Sequence, residues 1–216
     1  LTMSVGGTDP LREDYLVGLR DFITRVKSPW HSDHLCFSTA GGVMLHDLLP
    51  VAFQEGEVGR IADRIKRVED VLGVPFAIEN VSSYLHPGER DMGEAEFLAR
   101  VCEAADCGLM LDVNNAYVNA TNFGFDVDEW MATAPLHRVV QLHIAGHDWV
   151  DEDGERLIID THAADVDAPV LALLERVLAK TGPKPVLLER DQRIPPLPVL
   201  LDEVRALEAI HARATA

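Results

Sequence analysis

Short apolar runs of strand length alternate with longer amphipathic stretches along the whole sequence, the pattern of a parallel β-sheet with crossover helices. The strand-length runs fall at residues 1–5, 31–37, 75–81, 109–113, 139–145 and 185–189, most of them rich in Val, Ile, Leu or Phe and closed by polar residues. Helix-length stretches fall at 11–26, 57–72, 94–105, near 128–132, at 170–181 and at 197–212. Asp9-Pro10 reads as a helix N-cap followed by proline at the first helical position, and Gly73 and Gly182 read as helix stops. Residues 40–43 and 194–198 read as loops, because apolar periodicity resumes directly after each.

Six strand-length runs fall short of the eight that close a TIM (β/α)8-type barrel, and Leu1 lies inside an apolar run with no initiating Met. The expected fold is therefore an α/β chain of the barrel type, N-terminally incomplete. An open doubly wound sheet is the alternative, but it calls for a glycine-rich phosphate turn after the first strand, and Gly6-Gly7 is too little for one. At 216 residues, 47% of them hydrophobic, the chain is long enough for a large core and short enough for a single domain.

The net charge of −17 argues against nonspecific nucleic-acid binding, which needs a surplus of Lys and Arg to neutralise phosphates. Cys36, Cys102 and Cys107 are too few for a disulfide framework and suit a reducing compartment. No run approaches the roughly 20 apolar residues of a membrane span, so the expected location is the cytoplasm, with no membrane partner.

Five of the six expected strands carry a metal-competent side chain at or near their ends, where barrel active sites are built: His34, Glu79, Asp112, His143 and Glu189. Singly, each reads as well as a hydrogen-bonded cap. Together, three carboxylates and two imidazoles in one barrel mouth would crowd like charges unless a cation lies among them. Asp160-Thr161-His162 adds a pair whose alternate side chains can point the same way and chelate one ion. Asn115, three residues after Asp112, can reach the same ion through a tight turn, although Asn114, Asn115, Asn119 and Asn122 could equally be satisfying turn backbone. Residues 80–84 and His147 read as surroundings of the site, Asp191 as a catalytic acid/base beside it, and His31, His86 and His137 as surface residues. With N and O donors and no thiolate, the set suits Fe, Mn or Zn. Spacing alone does not separate a redox iron site from a hydrolytic zinc site.

The motifs Ser32-Asp33-His34-Leu35-Cys36, Glu79-Asn80-Val81-Ser82-Ser83-Tyr84, Asp112-Val113-Asn114-Asn115, Gln141-Leu142-His143-Ile144-Ala145-Gly146-His147, Asp160-Thr161-His162 and Leu188-Glu189-Arg190-Asp191 resemble, in their order, those of the multinuclear non-haem iron-dependent oxidases of the methanobactin-biosynthesis type. A more distant resemblance is to the barrels of endonuclease IV and xylose isomerase. The resemblance implies a xylose isomerase-like barrel and a first shell of His34, Glu79, Asp112, Asn115, His143, Asp160, His162 and Glu189, with Glu79 as the bridging carboxylate. It implies a cluster of about two or three metal ions, iron in the first place with zinc or manganese as alternatives. It also implies O2-dependent oxidation of residues, often Cys, in a ribosomally made peptide that a small partner protein presents. Two departures stand out. The family has a His in a His-Gly strand shortly before the position of Leu1, and an acidic or His residue often follows the Asp-x-His pair where this chain has Ala163 and Ala164. A Zn- or Mn-dependent hydrolase or sugar isomerase is the competing enzyme reading, and a metal- or peptide-binding module without turnover is the non-enzymatic one.

Overall fold

The computed structural model describes residues 3–152 and 154–214. Among them, five strands form one parallel sheet: β1 (His31–His34), β4 (Phe76–Glu79), β5 (Gly108–Asp112), β6 (Val139–Ala145) and β9 (Val186–Glu189). Two antiparallel hairpins, β2 (Cys36–Ala40) with β3 (Val43–Pro50) and β7 (Asp148–Glu152) with β8 (Glu155–Ile159), follow the C-terminal ends of β1 and β6. The helices are α1 (Glu13–Val26), α2 (Glu55–Leu72), α3 (Glu94–Ala105), α4 (Val113–Phe123), α5 (Val127–Thr133), α6 (Ala168–Thr181) and α7 (Leu197–Ala214).

The sheet order β1-β4-β5-β6-β9 follows the chain order without reversal, and every pairing in it is parallel. A doubly wound sheet reverses direction at a switch point, whereas a barrel adds each strand to the last. The architecture is thus a curled half-barrel of β/α units.

Burial follows from the sequence pattern. All four residues of β4 are buried, as expected for a strand covered on both faces. In α2 the buried residues Val58, Ile61, Ala62, Ile65, Val68 and Leu72 recur at helical spacing and turn one stripe to the core. Each large aliphatic side chain buried this way contributes about 1.5–3 kcal/mol relative to exposure. Gly73 ends α2 in the left-handed conformation with φ 69°, as its position suggests.

Three expectations need correction. Residues 1 and 2 of the strand expected over 1–5 lie outside the described residues, and the rest of it is a turn, with Ser4 at φ 51° and the Gly7 amide donating to the Ser4 carbonyl at 2.8 Å. Carbonyls that a strand would give to a ladder are taken by one guanidinium: Arg64 of α2 donates to the carbonyls of Val5 (3.0 Å), Asp9 (2.8 Å) and Ser4 (3.0 Å). Asp9 does not cap α1, which starts at Glu13; its carboxylate accepts from the Gly41 and Gly42 amides (3.1 and 2.9 Å) and so holds the β2–β3 turn. Finally, the Asn-rich segment after Asp112 is the helix α4, where a loop was expected.

One close approach fixes the geometry below β6. A Cβ on Gly146 would lie 2.0 Å from the Ala164 carbonyl oxygen and 2.6 Å from that of Asp165. Gly146→Ala must therefore displace the backbone that follows Asp160 and His162. The expected cost is about 2–3 kcal/mol, read as a lower urea midpoint at unchanged slope. A midpoint equal to that of the unsubstituted chain would refute this close packing. No helix among the described residues is long and apolar enough to cross a membrane.

Candidate metal centre

The centre is built at the C-terminal ends of the sheet strands. Register places His34 beside Glu79 and Asp112 beside His143. Glu79, Asp112 and His143 are buried, with Asp112 fully so. Asp112 ends β5 and also caps α4: its Oδ1 accepts from the Asn115 amide at 2.7 Å, so strand passes to helix with no linking residue. Asn80 clamps this junction, accepting from the Asp112 amide (2.9 Å) and donating to the Asp112 carbonyl (2.9 Å), while Asn115 Nδ2 donates to the Asn80 carbonyl at 3.0 Å.

The side chains form one continuous network. His143 Nδ1 lies 2.8 Å from Glu79 Oε1 and 3.2 Å from Glu189 Oε1, and His34 Nε2 lies 3.6 Å from Glu79 Oε2. His162 Nε2 lies 3.0 Å from Asp160 Oδ1, and its Nδ1 is 3.4 Å from Glu189 Oε2 and 3.3 Å from Asp191 Oδ2. Two triads, Glu79/Asp112/His143 and Asp112/His162/Glu189, each offer ligand atoms that lie within 4.8 Å of one another. Asp112 is common to both, while Glu79 spans between His143 and His34. Each of these carboxylates therefore links two parts of the network.

Whether these residues suit a metal is tested by their unpaired atoms. Asp112 Oδ2 and Asn115 Oδ1 are buried and make no hydrogen bond. Native interiors rarely leave such atoms unsatisfied. Both are hard oxygen donors, Asp112 being common to the two triads, and a divalent cation held there would satisfy them. The donor set fits.

Electrostatics agree. Burial, followed by the charges of Asp160 and Glu79, pushes the Asp112 carboxyl up to about 7. Burial disfavours the charged form of His162, but the bond to Asp160 and the charges of Asp160, Asp112 and Glu189 outweigh it and raise it to about 9. Burial likewise opposes charge on His34 and His143, and neighbouring carboxylates nonetheless lift both above the ordinary imidazole value. Glu189 is raised, chiefly by burial. The cluster as a whole draws protons because its negative charge exceeds what its own groups neutralise.

The surrounding residues hold Asp160 and His162. Asp160 Oδ1 accepts from Asn114 Nδ2 at 2.8 Å, and Asn114 Oδ1 in turn accepts from His147 Nδ1 at 2.8 Å. His147 is buried, with Nε2 3.2 Å from Asp167 Oδ2. Ser82 Oγ donates to Asp160 Oδ2 (3.3 Å) and the Asp160 amide donates to the Tyr84 hydroxyl (2.9 Å). Residues 80–84 and His147 thus lie around the centre, where the sequence places them. His162 adopts φ 50°, a conformation that favours glycine. Such strain gathers at functional sites.

Asp191 sits at the rim: its side chain is 75% exposed and its Oδ2 lies 3.3 Å from His162 Nδ1. His137 and His86 are exposed, as expected, with His86 stacking on Phe123 at a ring-centroid distance of 4.1 Å, whereas His31 is half-buried against Phe76. Sequence reasoning missed Asp33, a buried carboxylate whose Oδ1 lies 3.5 Å from His34 Nδ1. Its adjacency to His34 is the only signal, and alternation along a strand argues for the opposite face.

Residues 1–212 match the family described as RiPP precursor modification enzyme MbnB/TglH/ChrH, RiPP denoting a ribosomally made, post-translationally modified peptide. The chain is 42% identical over 216 residues to a UPF0276 protein of Anaeromyxobacter sp. strain Fw109-5, covering 100% of this chain and 75% of that protein. It is 43% identical over 215 residues to a UPF0276 protein of Pseudomonas aeruginosa PAO1, covering 99% of this chain and 74% of that one. Among solved structures it is similar to the 3-keto-D-glucoside 4-epimerase YcjR from E. coli, with a TM-score of 0.57, 13% identity and coverage of 95% of this chain and 74% of that chain. A xylose isomerase-like TIM barrel protein from Mycobacterium smegmatis, in complex with magnesium, gives a TM-score of 0.59 at 11% identity, covering 94% and 68% of the two chains. At such identities these structures speak for the fold alone: a xylose isomerase-like barrel architecture. Taken with the match along its length, the relatives and this fold show that the chain belongs to the MbnB/TglH/ChrH family of RiPP precursor modification enzymes.

Proposed function

We propose that the chain is a multinuclear non-haem iron-dependent oxidase, a single metal-binding domain that uses O2 to modify a cysteine of a ribosomally made peptide, brought to it by a small partner protein. Family membership supports the peptide substrate. The observation that carries the metal reading is the pair of triads sharing Asp112, with Asp112 Oδ2 and Asn115 Oδ1 buried and unpartnered between their neighbours.

His34, Glu79, Asp112, Asn115, His143, Asp160, His162 and Glu189 would hold about two or three metal ions, with iron favoured over zinc or manganese. Iron, when bound, would supply a position for the substrate thiolate and a relay by which electrons given up by the cysteine pass to O2. The chain's own residues do the rest. Asn80 and Asn115 fix the β5–α4 junction so that Asp112 presents Oδ2, and Asn114 and Ser82 aim the Asp160 carboxylate. Asp191 Oδ2, at the exposed rim and 3.3 Å from His162 Nδ1, receives the proton released by the substrate thiol. Asn122 accepts from the Ile158 amide and donates to its carbonyl, both at 2.9 Å, which ties the β7–β8 hairpin to α4 beside the mouth.

The test is anaerobic iron loading, followed by O2-electrode measurements with a Cys-containing peptide. The expected result is an iron absorption band and O2 uptake that requires the peptide. Zinc as the only metal retained, with no iron band and no uptake, would overturn the oxidase reading and turn the site toward hydrolysis or isomerisation.

A further inference from the structure

Away from the metal centre a cavity of about 430 Å3 opens between the segment 83–90, the start of α3, the end of α4 and α5, and none of its lining residues is among the candidate metal ligands. Its walls are aromatic, with Phe53, Phe123, Phe125 and Trp130 facing it. Glu94 is set among them. Its carboxylate accepts from Trp130 Nε1 at 2.9 Å and from Asn119 Nδ2 at 3.1 Å, both neutral donors. Among the described residues no cation pairs with it.

The other charges at the cavity are unequally committed. Glu96 pairs with Arg100 at 2.7 Å, and Asp126 caps α5 through the amides of Asp128 (2.7 Å) and Glu129 (3.3 Å). Glu129 is left facing the opening. Arg90 and His86 are turned to each other at the rim, 3.2 Å apart. A carboxylate supported by neutral donors inside an aromatic box is complementary to a flat cation, which stacks on the rings and bonds the two oxygens. Guanidinium meets this geometry better than ammonium. The volume lies within the ordinary range of small-ligand sites, roughly 300–1,000 Å3.

We propose that this cavity is a subsite for an arginine side chain of the peptide substrate, with the guanidinium on Glu94 and stacked against Phe123. The source of the arginine rests on the peptide reading above. Asn119 connects the subsite to the centre: it also donates to the Val81 carbonyl (2.9 Å) and accepts from the Ser83 amide (2.8 Å). Residues 80–84 run from Glu79 to Tyr84, which binds the Asp160 backbone. A peptide anchored here lies against the loop that borders the metal site.

The probe is Nα-acetyl-arginine amide, titrated into the full chain without added metal and read by tryptophan emission and calorimetry. Saturable binding is expected, at least about tenfold tighter than for the norleucine analogue. Glu94→Gln is expected to weaken it by about tenfold or more, and Phe123→Leu by a few-fold, with metal content unchanged in both. Trp130→Phe, which removes one of the two donors to Glu94, should abolish the emission change and also weaken the calorimetric affinity. Equal binding of the norleucine analogue, no saturable binding, or unchanged affinity in both Glu94→Gln and Phe123→Leu would overturn the subsite. If Glu94→Gln does not fold, Phe123→Leu and the analogue comparison decide. Arginine binding without peptide-dependent O2 uptake would fault the oxidase reading alone, and uptake without arginine binding would fault the subsite alone.

Discussion

Asp112→Asn is expected to raise the melting temperature of the metal-free protein and to abolish the rise that metal gives the unsubstituted chain. Asp112 is fully buried, and its carboxyl is pushed up to about 7 by burial and by the charges of Asp160 and Glu79. A carboxyl raised on folding stabilises the fold fully below its ordinary value of 3.8, and that contribution is lost as pH climbs toward 7. His162, raised to about 9, stabilises the fold below 6.5, and its contribution is lost as pH rises through 9. Both slopes run downward with pH in the metal-free chain. Near pH 8 the buried Asp112 charge alone costs on the order of a few kcal/mol. Asparagine keeps the oxygen that caps α4 and replaces the unpartnered Oδ2 with a donor toward Glu79 and Asp160. Metal reverses the sign, because cations replace the protons and bind more tightly as the ligands ionise. Calorimetry between pH 5 and 8, with and without iron, checks this. An Asn variant that melts below the metal-free chain at pH 8, or that keeps the full gain from metal, would count against the account.

The parallel strands were readable because strands covered on both faces are continuous apolar runs, and β4 shows this at every residue. Both hairpins escaped notice. In β3 most residues are partly or fully exposed without alternation, and the charged Asp151 and Arg156 face each other across β7 and β8. Helix α4 was hidden by Val, Asn and Thr, all weak helix formers. Tertiary bonds override that weakness: Asn115, Asn119 and Asn122 use their side chains on the backbone of Asn80, Val81, Ser83 and Ile158. They do satisfy backbone, but that of neighbouring segments and from within a helix.

The candidate ligands were visible because polar residues at the ends of apolar strands are conspicuous. Their grouping was not. A register shift between Leu109 and Met110 brings Asp112 opposite His143, and with it the sharing of Asp112 between two triads. No spacing in the sequence reports a shift of that kind. The cavity beside Glu94 was equally hidden, since its walls come from three stretches far apart in the sequence, 50–53, 83–96 and 119–133.

Loss of metal on substitution of Glu79 or His143 is the second large expected effect. Glu79 Oε1 lies 2.8 Å from His143 Nδ1 and Oε2 lies 3.6 Å from His34 Nε2, so Glu79→Gln withdraws a charge from two parts of the network at once. His143→Ala removes a donor of the first triad and the partner of Glu189 Oε1 as well. His86, stacked on Phe123 and outside the network, is the control. The central claim is tested most directly by counting metal per folded chain by plasma mass spectrometry after anaerobic iron loading and desalting. The account predicts about two or three ions in the unsubstituted chain and in His86→Ala, and at least about one fewer in Glu79→Gln and His143→Ala. Equal metal content in all four proteins, or none in any, would contradict it.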